Sequence, residues 1–143
     1  MLLLIPLLPF VGFLLNASVG RRVDKWVSSV VACTAAIASF AVSVAAVWSL
    51  VQLAPASRAI GERVFSWISS GELDVAFALR LDPLSAVMIL VVTGIGSLIH
   101  IYSVAYMHEE RAPDFARYFS YLNLFAAFML VLVLGANFLV MFV

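Results

Sequence analysis

Charge is what this sequence has least of. Only 11% of its 143 residues are Asp, Glu, Lys or Arg, against 65% hydrophobic, where a soluble globular domain is about a quarter charged. That balance excludes a water-soluble globular fold and makes lipid the solvent for most of the surface. Acidic and basic residues number eight each and cancel, so there is no basic stripe to hold nucleic acid and no acidic tail to recruit a basic partner. Cysteine is nearly absent: Cys33 stands alone in an apolar stretch, can form no internal disulfide or thiolate metal site, and reads as a small packing residue. No basic residue precedes the first apolar run, as it would in a secretory signal peptide; Arg21, Arg22 and Lys25 follow it instead. There is no phosphate loop, no pair of metal-ligand motifs and no Cys cluster for iron–sulfur ligation. Gly94-Ile95-Gly96-Ser97-Leu98-Ile99 begins like a dinucleotide fingerprint, but Ile99 stands where the third glycine belongs and the string lies inside an apolar run. The chain is therefore expected to bind no cofactor and no metal, and to carry no catalytic residue, no NADH site and no electron-transfer site.

What is present is a set of apolar runs. Four of them, at about 2–19, 26–53, 84–106 and 118–134, are free of Asp, Glu, Lys and Arg, and a bilayer core is crossed by about 20 apolar helical residues. The second run carries Ala35, Ser39 and Ser43 at four-residue spacing, a small-residue face that would let a neighbouring backbone approach closely. Gly135, Ala136 and Asn137 then form a turn, and a new apolar run begins at Phe138. From Asn137 to Val143 it reaches only about 10 Å as helix, a third of the hydrocarbon core. The expectation is an all-α polytopic membrane protein of four transmembrane helices with a truncated fifth, the stub 137–143, forming the N-terminal transmembrane part of a longer protein.

Between the second and third runs the period changes. Leu73, Val75, Phe77, Leu79 and Leu81 alternate with Asp74, Ala76, Ala78, Arg80 and Asp82, upstream residues from Val64 alternate likewise, and Ser70-Gly71-Glu72 can turn between them. This predicts a short β-hairpin at about 64–81 lying on the membrane surface. Asp82 precedes Pro83 at the entry to the third helix and reads as its N-cap, with a proton-carrying carboxylate as the sharper alternative. Counting Lys and Arg, the first and third loops hold Arg21, Arg22, Lys25, Arg111 and Arg117, and the intervening segment Arg58, Arg63 and Arg80. The positive-inside rule then puts the N-terminus and the hairpin on the extracytoplasmic side.

One ionisable side chain falls within the spans. His100 lies past the midpoint of the third run with Thr93, Gly96 and Ser97 at helical spacings before it, a polar face that would line a narrow hydrated path or contact another helix. It is the candidate proton-pathway residue; the alternative is a neutral imidazole hydrogen-bonded to a neighbouring helix. Asn123 and Asn137 read as helix-to-helix hydrogen bonding and turn chemistry. Tyr102, Tyr106, Tyr118 and Tyr121 read as an interfacial aromatic belt.

Three stretches resemble a known family: Leu81-Asp82-Pro83-Leu84-Ser85; Thr93 through Ser103 with Tyr106-Met107; and Arg117-Tyr118-Phe119-Ser120-Tyr121-Leu122-Asn123-Leu124-Phe125 running on to Val133 through Val143. Together they resemble the N-terminal part of the antiporter-like membrane-arm subunit of respiratory complex I, subunit L or chain 5 of NADH-quinone oxidoreductase. The resemblance implies proton translocation coupled to quinone reduction, with NADH, FMN, iron–sulfur clusters and quinone bound by other subunits. It implies as partners the other membrane-arm subunits and the lipid bilayer, and as location most readily a bacterial inner membrane. In that family the next residues would be Gly-Trp-Glu, the glutamate beginning a set of buried pathway residues that all lie beyond Val143, so the fragment alone would not pump. Related alternatives are the large subunit of a multi-subunit Na+/H+ antiporter and a membrane-bound hydrogenase subunit. An unrelated alternative is a complete small membrane protein with a structural role.

Overall fold

In the computed structural model, which describes residues 1–142, the chain is mostly helical with one two-stranded antiparallel sheet. In order come helix α1 (Leu4–Ser18), helix α2 (Lys25–Val51), a single 3-10 turn (Pro55–Ser57), strands β1 (Ile60–Ser70) and β2 (Leu73–Leu81), helices α3 (Pro83–Tyr106) and α4 (Ala112–Leu134), and the short α5 (Phe138–Met141). Val143, the end of the expected stub, lies outside the described residues. Helices α2, α3 and α4, of 27, 24 and 23 residues, are long and apolar enough to cross a membrane; at 1.5 Å per residue even α4 spans about 35 Å. Helix α1 is equally apolar but has 15 residues, about 22 Å.

The surface is far more apolar than that of a soluble domain, and the interior mixes polar with apolar side chains. Large apolar residues such as Trp26, Leu84, Leu98 and Phe125 are exposed, whereas Ser39, Ser43, Thr93, Ser97, His100, Ser103 and Asn123 are buried. An apolar surrounding makes that exposed surface favourable, because water would penalise it. The chain is an integral membrane protein.

Several boundaries differ from those read off the sequence. Helix α1 begins at Leu4 and ends at Ser18 rather than filling 2–19. Helix α4 begins at Ala112 rather than at Tyr118. A search for charge-free runs cannot see that Pro113 suits a first helical turn and that Asp114, in that turn, sits favourably at the positive end of the helix dipole. Helix α2 begins at Lys25 and ends at Val51 instead of Leu53. The hairpin runs from Ile60 to Leu81 rather than from 64, with Gly71 at φ 60 in its turn. Register slips between Arg63 and Phe65 and between Ser66 and Ile68 interrupt the alternation on which the shorter estimate rested.

Helix α1 packs against both α2 and α4. Its buried residues Ile5, Pro9, Gly12 and Asn16 recur at three- and four-residue spacing. Pro9 has no N–H to offer the carbonyl of Ile5, and Ser39 on α2 supplies the missing bond, its Oγ donating to Ile5 O at 2.7 Å. Gly12 permits the close approach: a Cβ there would stand 2.8 Å from the Cβ of Ala35 and 3.0 Å from Asn123 Nδ2. The small-residue face of α2 does pack on protein. Its buried members include Ala32, Ala36, Ser39, Ser43 and Ala46, with Ala35 half-buried.

The hairpin is bound into one end of the bundle. Leu79 and Leu81 are fully buried in a cluster with Ile5, Leu50, Ile89 and Leu134. Ala136 N–H donates to Ala78 O at 3.1 Å, and Asn137 Nδ2 donates to Ala76 O at 2.9 Å while its Oδ1 caps α5 by accepting from Val140 N–H. Glu62 on β1 accepts from Leu2 N–H at 2.8 Å and faces the Met1 ammonium at 2.7 Å. At the other end Lys25 Nζ donates to His108 O at 2.8 Å, joining the α1–α2 and α3–α4 loops.

Candidate functional site

Helix α3 buries Ala86, Ile89, Thr93, Ser97, His100 and Ser103, one face at three- and four-residue spacing. Thr93, Gly96, Ser97 and His100, with Val92, line a partly open cavity of about 20 Å³ bordered by Pro9 from α1, Ala36 and Ser39 from α2, and Ala126 and Leu130 from α4. A space of that size admits one water molecule. Its hydroxyl protons are already committed. Thr93 Oγ1 donates to Ile89 O, Ser97 Oγ to Thr93 O at 2.6 Å and Ser39 Oγ to Ile5 O, so the three hydroxyls offer acceptor lone pairs to the cavity.

His100 is 1% exposed. Its Nδ1 lies 2.7 Å from Gly96 O one turn earlier, and its Nε2 lies 3.0 Å from Asn123 Oδ1 on α4. The ring also packs on Phe119, centroid to centroid 6.2 Å. Asn123, fully buried, leaves its Nδ2 without a hydrogen-bond partner. Toward the C-terminal end of α3, Ser103 Oγ and Tyr118 Oη share a hydrogen bond of 3.0 Å.

The structure thus joins two residues that sequence reading kept apart, His100 and Asn123, and withdraws one tyrosine from the aromatic belt. Tyr102, Tyr106 and Tyr121 are exposed, but Tyr118 is half-buried and bonded inward. Cys33 is half-buried on α2. Asp82 Oδ1 accepts from Ser85 N–H at 2.8 Å at the start of α3. This bond, with a smaller contribution from nearby Arg80, holds its carboxyl below the ordinary value. Asp82 neither lines the cavity nor touches His100.

Residues 67–119 match the family described as NADH-Ubiquinone oxidoreductase (complex I), chain 5 N-terminus. The chain is 43% identical over 136 residues to NADH-quinone oxidoreductase subunit L of Mycobacterium tuberculosis, covering 95% of this chain and 21% of that protein. It is 38% identical over 142 residues to the Escherichia coli subunit L, covering 99% and 22%. To the NADH-ubiquinone oxidoreductase chain 5 of Arabidopsis thaliana it is 37% identical over 142 residues, covering 99% and 20%. The chain spans about a fifth of the length of the curated relatives it matches. By the three stretches that carry the resemblance and by these similarities, the chain belongs to the subunit L, or chain 5, family of NADH-quinone oxidoreductase.

Proposed function

We propose that the chain is the N-terminal transmembrane part of a membrane-arm subunit of a proton-translocating NADH:quinone oxidoreductase, contributing to proton pumping coupled to quinone reduction. Nucleotide, flavin, iron–sulfur and quinone chemistry then belongs to other subunits of the complex, with which this chain and the surrounding bilayer are in contact. The complete subunit sits in an energy-conserving membrane, most simply a bacterial inner membrane. Helix α1 acts as a fourth span, the hairpin and N-terminus lie on the extracytoplasmic side, and α5 opens a fifth span. Excess Lys and Arg in the two loops joined by the Lys25–His108 contact supports that orientation. The family resemblance favours this reading over a Na+/H+ antiporter, a hydrogenase subunit or a small structural protein.

The observation that carries a role for these residues is the burial of His100 between α3 and α4 beside a water-sized, hydroxyl-lined cavity. An ionisable group at membrane depth is costly and marks ion or proton paths, and an imidazole can carry a proton on either ring nitrogen. His100 therefore takes the role of a proton-pathway member, and Asp82 that of a helix cap. The test is His100→Ala in the assembled complex, comparing NADH oxidation with proton uptake into inverted membrane vesicles. Proton uptake per NADH falls; full uptake in a normally assembled variant removes His100 from the pathway.

A further inference from the structure

The two groups that meet the ring nitrogens of His100 tie the orientation of the Asn123 amide to the protons on the ring. Gly96 O can only accept, so Nδ1 carries a proton. The other nitrogen faces Asn123 Oδ1, which also only accepts. With the amide oxygen at Nε2 the partner that fits is a ring with protons on both nitrogens. A neutral ring with its single proton on Nδ1 would set the Nε2 lone pair against an oxygen lone pair. A half-turn of the Asn123 amide removes the clash, because Nδ2 then donates to Nε2.

We infer that Asn123 is the positioning residue of His100, its side-chain amide reversing as the imidazole gains or loses a proton, an inference that rests on the proton-pathway reading above. The surroundings allow either orientation. Asn123 Nδ2 has no hydrogen-bond partner to tie it down, and the side chain lies against Gly12, where a Cβ would come within 3.0 Å of Nδ2. No other side chain therefore dictates which end of the amide faces α1. In one orientation the buried amide N–H groups face Gly12, and in the other the oxygen does. His100 also lines the cavity, where Thr93, Ser97 and Ser39 present oxygens that can accept a hydrogen bond from one water.

The groups facing His100 leave the pair as the local determinant. Helix α1 brings Pro9, α2 brings Ala36 and Ser39, and α4 brings Phe119, Asn123, Ala126 and Leu130. Tyr118 is engaged with Ser103, Cys33 does not line the cavity, and no carboxylate, lysine or arginine does so among the described residues.

The test reads the amide directly. The intact complex, with asparagine carrying 13C at its side-chain carbonyl, is examined by infrared difference spectroscopy between acidic and alkaline buffer. A difference band from one amide carbonyl is expected in the parent complex and is lost in both His100→Ala and Asn123→Leu. Asn123→Asp, nearly isosteric and without an amide, replaces the leucine variant if that one fails to assemble. A spectrum unchanged by loss of Asn123, or a band that survives loss of His100, overturns the inference. Normal proton uptake by His100→Ala sinks the pathway reading alone, because the infrared band reports the amide whether or not protons pass on from the ring.

Discussion

Ser39 shows how one hydroxyl lets a proline sit inside a packed membrane helix. Pro9 takes a donor away from α1, the orphaned Ile5 carbonyl faces α2 rather than lipid, and Ser39 donates to it at 2.7 Å. The hydrogen bond should therefore matter only while the proline is there. Ser39→Ala is expected to cost about 1 kcal/mol, the scale of an interhelical hydrogen bond in a membrane. The same change in a Pro9→Ala background, where the restored N–H serves Ile5 O, is expected to cost close to nothing. Unfolding titrations of the detergent-solubilised full-length subunit across this double-mutant cycle check it, and equal costs in both backgrounds would refute the pairing. Residue-level legibility in the sequence was uneven for a physical reason. Thr93, Ser97 and His100 were readable as one face because helical spacing alone relates them. Asn123, Gly12 and Tyr118 were not assignable to the site because they arrive from other helices, and no local period encodes which helix will be the neighbour.

At the level of elements, the same limit separates what a local period encodes from what only the packed chain determines. The hairpin was visible through its period of two, and its anchoring was not, since that depends on Asn137 and Glu62 meeting it from elsewhere in the chain. Glu62 gives the anchoring a pH dependence. The Met1 ammonium, then the backbone N–H of Leu2, hold its carboxyl below the ordinary value. A carboxyl lowered on folding stabilises above its unfolded pKa, about 4.3 for glutamate, and that stabilisation is lost as the pH falls through the lowered folded value. The site is partly exposed, so the effect is local rather than global. The protection of the Leu2 amide, relative to its intrinsic exchange rate at each pH, should fall on acidification below about pH 4 and should be low at every pH in Glu62→Ala. Exchange equally slow in parent and variant would show that the contact does not hold the N-terminus. Asn137 acts from the opposite side, holding Ala76 and capping α5 with one side chain. Asn137→Ala should raise proteolytic cleavage within the hairpin, whose β2 strand it holds at Ala76, without altering α2.

For the whole molecule, the connections fix relative topology without fixing which side is which. Lys25 bonding to His108 O places the α1–α2 and α3–α4 loops at one end, and Glu62, Ala78 and Asn137 place the N-terminus, hairpin and α4–α5 junction at the other. Any labelling result must therefore divide the chain in that pattern, whichever end is outside. The proposed orientation makes the stronger statement that the hairpin is extracytoplasmic. With Cys33 replaced by alanine to remove the background thiol, Glu72→Cys in the hairpin turn should react with a membrane-impermeant maleimide added to intact spheroplasts. Glu109→Cys in the α3–α4 loop should react only in inverted vesicles. Both positions are exposed, so access rather than burial decides the outcome. The reverse labelling would invert the proposed orientation and leave the fold intact, whereas both sites labelling from one side would contradict the bundle itself, since an even number of crossings would then separate them.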